Sequence, residues 1–180
     1  MINYVPGALN KVLIRPTIPA DLAFVLAAET APENKPFIFQ WPAEKHLASF
    51  SDPDTAHLLV ETTGGDRRPV GYAIVKGLQN PHHSLELMRF VITEKGRGFG
   101  KAALAEIKIL AFEKCQAHRF WLDVVDHNLR AQGLYTAAGF QREGILREAY
   151  FMDSQPLTVI IMSILAQEFF GKDGVTGQAE

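Results

Sequence analysis

The sequence predicts one α/β domain of the α+β kind, with a mixed, mostly antiparallel sheet of about six to seven strands flanked by about four helices. Three observations predict it. Short apolar, β-branched runs recur along the chain, and between them lie segments whose apolar residues repeat at helical spacing. Residues 85–115 (LELMRFVITEKGRGFGKAALAEIKILAFEKC) pass from a strand-like run through Gly96, Gly98 and Gly100 into a long helical segment. A further strand-like run follows, so one pair of strands is parallel across a crossover helix. A length of 180 residues with 47% apolar residues suits a single domain over 1–170, with 171–180 as a flexible tail.

The elements follow in order. Residues 12–15 read as a strand stopped by Pro16, and Thr17 and Pro19 announce a helix through about Glu29 with Leu22, Val25 and Leu26 inward. The aromatic stretch 34–41 (NKPFIFQW) serves either as packing or as the wall of a binding site. Pro42 opens a short helix with Leu47 and Phe50 inward. Runs 56–62 and 70–78, separated by TGGDRR, form an antiparallel hairpin. His82 and His83 are adjacent in the next turn, and no spacing around them suggests a metal site. Residues 84–93 form the strand before the glycine loop, and Leu104, Ile107, Ala111 and Cys115 share one stripe of the helix after it. Residues 118–126 are a strand. Asn128 caps a helix that Gly139 closes, and strands at about 147–152 and 158–165 complete the sheet.

Composition narrows the function. A formal charge of −2 without any block of like charges gives no reason to expect nucleic acid as the main partner. A lone Cys115 forms no internal disulfide, residues 1–11 lack the pattern of a signal peptide, and no apolar run approaches the roughly 20 residues of a membrane span. The expected setting is the cytoplasm, without a membrane partner.

The glycine loop is the chemical signal. A strand that feeds glycines and then a helix offers unpaired N–H groups and a positive dipole end, which suit a phosphate. A Walker loop is disfavoured, because Lys95 stands where its first glycine belongs and Ala102 follows Lys101 where a hydroxyl is required. A dinucleotide fingerprint stays open, with Gly98, Gly100 and Ala103 at its small positions and Asp123 or Asp126 as the ribose acid.

Two segments read together carry a resemblance. KGRGFG at 95–100 is similar to the acyl-CoA loop of the GNAT N-acetyltransferases, matching its two small positions at Gly98 and Gly100 with Lys95 in place of the usual Gln or Arg. NLRAQGLYTAAGF at 128–140 resembles the second motif of that family through Asn128, Ala131, Leu134, Tyr135, Gly139 and Phe140. The likeness covers roughly 58–165 and is greatest to the ribosomal-protein and polyamine acetyltransferases. One departure is that 90–94 is shorter than in many relatives and lacks their proline.

The resemblance implies two central parallel strands that splay apart and acetyl-CoA as co-substrate, with no metal. Lys95, Gly96, Arg97, Gly98, Phe99, Gly100 and Lys101 would surround the pyrophosphate. The main chain of Phe90, Val91 and Ile92 would line the pantetheine arm, with Asn128 and Ala131 across the gap. It implies transfer to a primary amine of a small amine, a polyamine or a peptide N-terminus, and it admits a homodimer. An alkylamine of pKa about 10.4 is free base only about one part in 10³ at neutral pH, so a base has about 4–5 kcal/mol to supply. Glu86 is the expected base, with Asp123 or a water as the other candidates, and Tyr135 is the expected acid for the leaving thiolate. A turnover-free acyl-CoA sensor on the same scaffold is the alternative.

Overall fold

The computed structural model describes residues 11–171 of the chain. Strand β1 (Val12–Pro16) is followed by a 3-10 turn (Pro19–Asp21), helix α1 (Leu22–Thr30), a second 3-10 turn (Lys35–Phe37) and helix α2 (Ala43–Ser49). Then come β2 (Thr55–Thr62), β3 (Pro69–Lys76), β4 (Ser84–Ile92), α3 (Phe99–Ile109), β5 (Arg119–Val125), α4 (Leu129–Ala137), β6 (Gln141–Met152), β7 (Gln155–Leu165) and α5 (Ala166–Phe170). The strands form a seven-stranded sheet in the order β1-β2-β3-β4-β5-β7-β6, antiparallel except for the β4–β5 pair. The mixed sheet and its single parallel pair are as the sequence predicts. The tail expected over 171–180 lies, apart from Gly171, outside the described residues.

Strand alternation divides the interior into two cores. Leu58, Val60, Ala73 and Val75 point with Leu85 and Leu87 to the face covered by Leu104 and Ile107 of α3, whereas Leu59, Tyr72 and Ile74 point the other way to Val25 and Ala28 of α1. A β-bulge changes this alternation within β4. Val75 pairs with Leu87 and Ile74 with Arg89, which leaves Met88 as the extra residue. Beyond it Val91 joins the α1 core and Phe90 and Ile92 pack toward α3. Arg89 is thereby turned to the α1 side.

Three local expectations change. In α2 the buried residues are His46 and Ser49, while Leu47 is 41% exposed. The polar pair can be buried because each has a partner: His46 Nδ1 lies 3.1 Å from His57 Nε2, and Ser49 Oγ donates to the His46 carbonyl. Strand β6 begins at Gln141, six residues before the expected start, because an edge strand with one open side needs no apolar alternation to announce it. Residues 166–170 form α5, in which Phe169 stacks on Phe112 at 4.7 Å.

Candidate active site

The two parallel strands part soon after they begin. Pairing runs only through Ser84–Arg119, Leu85–Phe120 and Glu86–Trp121, whereas β4 continues to Ile92 and β5 to Val125. In the gap lies a cavity of about 720 Å³ lined by 87–92 of β4 and 123–125 of β5. Two diverging strand edges present main-chain N–H and C=O groups to whatever extended chain lies between them.

At the wide end stands the glycine loop. Gly98 is the N-cap of α3 with φ +83° and ψ 0°, a left-handed conformation that glycine adopts without cost. Ala102 N–H is the first amide of the helix to bond back, to Gly98 O at 3.1 Å, so the amides of Phe99, Gly100 and Lys101 remain for a ligand. Gly96, Gly98, Gly100, Lys95 and Lys101 line the cavity. Arg97 and Phe99 do not line it with their side chains. The Arg97 guanidinium donates to Glu94 at 2.6 Å and the Phe99 ring packs on the core, which leaves each only its main chain to meet a ligand. Lys95 bonds to Asn34 Oδ1 and, at 3.2 Å, to the Glu33 carbonyl, and burial pushes its pKa down. The Glu33 charge opposes that shift and Arg130 adds to it. Lys95, Lys101 and Arg130 line this end with Glu33 and Glu94, and Glu94 is paired with Arg68 and Arg97, so cations are in excess there.

Helix α4 forms the opposite wall. Asn128 Oδ1 accepts the Ala131 amide at 3.2 Å, a side-chain N-cap, and both residues line the cavity. The helix ends in a full Schellman arrangement. Phe140 N–H reaches Tyr135 O and Gly139 N–H reaches Thr136 O, each at 3.0 Å, with Gly139 at φ +95°. Phe140 is buried with its ring 5.8 Å from that of Tyr135, and Leu134 lies beneath Gly100. Glycine and phenylalanine in the motif thus stop the helix and hold Tyr135 in place. Tyr135 is 7% exposed and lines the cavity, and no group among the described residues hydrogen-bonds its hydroxyl. Burial and then the Asp123 charge push its pKa up, which keeps it a proton donor.

The narrow end is acidic and aromatic. Asp123 lines the cavity and accepts a 2.8 Å hydrogen bond from Tyr150 of β6, whose pKa that bond raises to about 12. Glu86 sits half-buried at the last paired position of β4 and is not among the lining residues; desolvation first, and then Asp123, raise its pKa. The segment between α1 and α2 roofs the gap. Phe37 contacts His127 with centroids 5.6 Å apart, and Phe39 meets Tyr150 edge-on at 5.4 Å. The only cation lining this end among the described residues, Arg89, is committed to Glu29 and to the Phe39 carbonyl.

Comparison with known proteins agrees with this geometry. Residues 23–140 match the acetyltransferase (GNAT) family. The chain belongs to that family. An uncharacterized N-acetyltransferase of Mycobacterium tuberculosis is 32% identical over 137 residues, covering 69% of this chain and 85% of that protein. Spermidine N(1)-acetyltransferase of Vibrio cholerae is 28% identical over 92 residues, covering 51% of this chain and 53% of that protein. The structure of Vibrio cholerae spermidine N-acetyltransferase in complex with CoA and spermine has the same fold, with a TM-score of 0.80 at 22% identity over 89% of this chain and 99% of that one.

This GNAT protein is therefore an acyl-CoA-dependent N-acetyltransferase that moves the acetyl group of acetyl-CoA to an amine. Its wide, cationic end with free helix amides fits a pyrophosphate, and the strand gap fits the pantetheine arm. Among the described residues no helix is long and apolar enough to cross a membrane, and no group of three or more His, Cys, Asp or Glu side chains could hold a metal. Sequence reasoning overlooked Glu29, Arg89 and Tyr150. Glu29 left a signal, a charge inside the apolar stripe of α1 beside Val25 and Ala28. Tyr150 left none, because a two-residue bulge in β6 between Leu146 and Tyr150 aims it.

Proposed function

We propose that the acceptor is a primary amine of an aliphatic polycation, attacked directly in a ternary complex with acetyl-CoA. One observation carries this reading: the cavity is cationic where the cofactor's phosphates belong and anionic where the acceptor enters, with Asp123 there and, among the described residues, no free cation beside it. An amino acid would bring a carboxylate into that acidic end. The relatives from Vibrio cholerae, named for spermidine, favour the same class.

In this reading Asp123 receives the acceptor's ammonium, oriented by Tyr150. Glu86, its pKa raised, takes the proton through a water, and the freed nitrogen attacks the thioester carbon. A main-chain amide among Phe90, Val91 and Ile92 stabilises charge on the carbonyl oxygen. The C–N bond forms, the C–S bond breaks, the Tyr135 hydroxyl gives its proton to the departing sulfur, and the second proton of the acylated nitrogen restores that hydroxyl through water. Asn128 and Ala131 border the pantetheine arm, and the amides of 97–101 with Lys101 hold the pyrophosphate. One domain, read over 1–170, carries both the cofactor loop and the acceptor end.

Thiol release from acetyl-CoA tests the acceptor class. Spermidine and putrescine are expected to exceed α-amino acids in kcat/KM by at least about tenfold, through repulsion of the added carboxylate. Preference for an amino acid would sink the assignment. Acetyl-CoA at about 100 Kd should raise the free energy of unfolding by roughly 2.7 kcal/mol, and NAD should leave it unchanged. Equal stabilisation by both would return the loop to the dinucleotide reading.

The two acids separate by pH. A base with a raised pKa becomes protonated above the usual carboxylate range, so kcat/KM falls as pH drops through that value. Glu86→Gln should lower kcat and remove that limb, whereas Asp123→Asn should chiefly raise the amine KM. A Glu86→Gln profile identical to the parent's would transfer the base role to Asp123.

A further inference from the structure

The roof of the acceptor end is tied to the rigid parts of the fold by two buried charges. Glu29, 1% exposed in α1, and Arg89, 8% exposed in β4, form an ion pair. Arg89 uses its fork: one arm goes to Glu29, and the other donates to the Phe39 carbonyl at 2.7 Å. Glu29 answers from the other side, its Oε2 accepting the Trp41 amide at 3.0 Å. The two charges therefore grip the roof segment on both sides of Gln40. Tyr72 donates to the same carboxylate at 2.5 Å, and His46 Nε2 stands 3.4 Å away. Burial alone would raise the Glu29 pKa, but the nearby His46 ring, the Tyr72 hydrogen bond, the Arg89 charge and the Trp41 amide bring it down to about 2, so the carboxylate is ionised.

A buried ion pair is a weak stabiliser against apolar residues of the same volume, so its contribution here is sought in geometry. What it orients is plain. Phe39 stands edge-on to Tyr150, the residue that donates to Asp123, and Arg89 itself lines the cavity beside the Met88 bulge. We infer that Glu29 and Arg89 are positioning residues that set acceptor specificity, by holding Phe39 against Tyr150 so that only slim, unhindered primary amines reach the gap between β4 and β5. The inference rests on the reading that the acceptor enters at the Asp123 end. Loosening either grip lets Phe39 swing from Tyr150, so the mouth widens and loses its fit to the acceptor. The cofactor loop meets the other end of this segment, through Lys95 at Asn34, which is anchored by its own 2.8 Å hydrogen bond to the Ala28 carbonyl, and keeps its shape.

The test uses the full chain and four steady-state constants. Arg89→Lys preserves the charge opposite Glu29 but cannot reach both Glu29 and the Phe39 carbonyl. It should raise the KM for spermidine about tenfold with the acetyl-CoA KM within about twofold, and narrow the kcat/KM advantage of spermidine over N-methylated amines. Unchanged amine constants, or equal rises in both KM values, would overturn the inference. The double variant Glu29→Gln with Arg89→Met, which leaves no unpaired buried charge, should give the same split; loss of folding in both would mark the pair as a stability element and also overturn it. Phe39→Ala separates this inference from the reading beneath it. If Phe39→Ala leaves the amine KM unchanged, the acceptor enters elsewhere; if it raises that KM and Arg89→Lys does not, the acceptor reading stands and the positioning role falls.

Discussion

Tyr135→Phe is expected to fold, bind acetyl-CoA as the parent does, and lose about 10² to 10⁴ in kcat, the usual contribution of a positioned general acid. The ring is held by Phe140 and by the Schellman end of α4, and the substitution keeps that ring. The hydroxyl has no partner among the described residues and belongs to the cavity wall, so its removal leaves no buried group unsatisfied. Stability should change by no more than about 1 kcal/mol. The measurement is kcat with the best amine beside a CoA titration of the same variant. A folded, CoA-competent Tyr135→Phe enzyme that retains more than about a third of the parent kcat would remove Tyr135 from the mechanism, since that is far short of the effect of a general acid.

Gly98→Val should abolish detectable acetyl-CoA binding, a rise in Kd of at least about 10² fold if the loop amides are the main phosphate contact. Two effects combine. At φ +83° a β-branched residue is strained by about 1–2 kcal/mol, and the backbone escapes by turning the Phe99 and Gly100 amides from their common direction. The protein itself leaves room, because a Cβ at this position meets only the end of Lys11 at 3.5 Å, so the fold should survive with a fall in Tm of a few degrees, about 2–4 °C for each kcal/mol. Calorimetric titration with CoA, alongside thermal unfolding, checks both parts. Unchanged CoA affinity in the folded variant would make the glycines turn formers only.

The active site was unevenly legible in the sequence. Gly98, Asn128 and Gly139 could be assigned their parts at once, because a left-handed residue and a helix cap are written within four or five neighbouring positions. The face of α2 was misread for a related reason. Helical period alone favours Leu47, but His46 is buried with its Nδ1 paired to His57, and that partner lies on another element. Glu86 and Asp123 were both visible as acids on central strands, whereas their division between the back and the lining of the cavity was not.

By itself, the sequence determined the order of the strands, the one parallel crossover, the glycine loop before a helix and the capped helix that carries Tyr135. Each of these depends on local periodicity, φ preference or hydrogen bonds within a turn. Only the tertiary structure decided where β4 and β5 separate, how the Met88 bulge turns Arg89 toward Glu29, and which aromatic rings close over the gap. Those features arise from contacts between residues far apart in the chain, such as Glu29 with Arg89 and Phe39 with Tyr150. No local energy term selects such pairs; they form because strand register and packing bring the elements that carry them together.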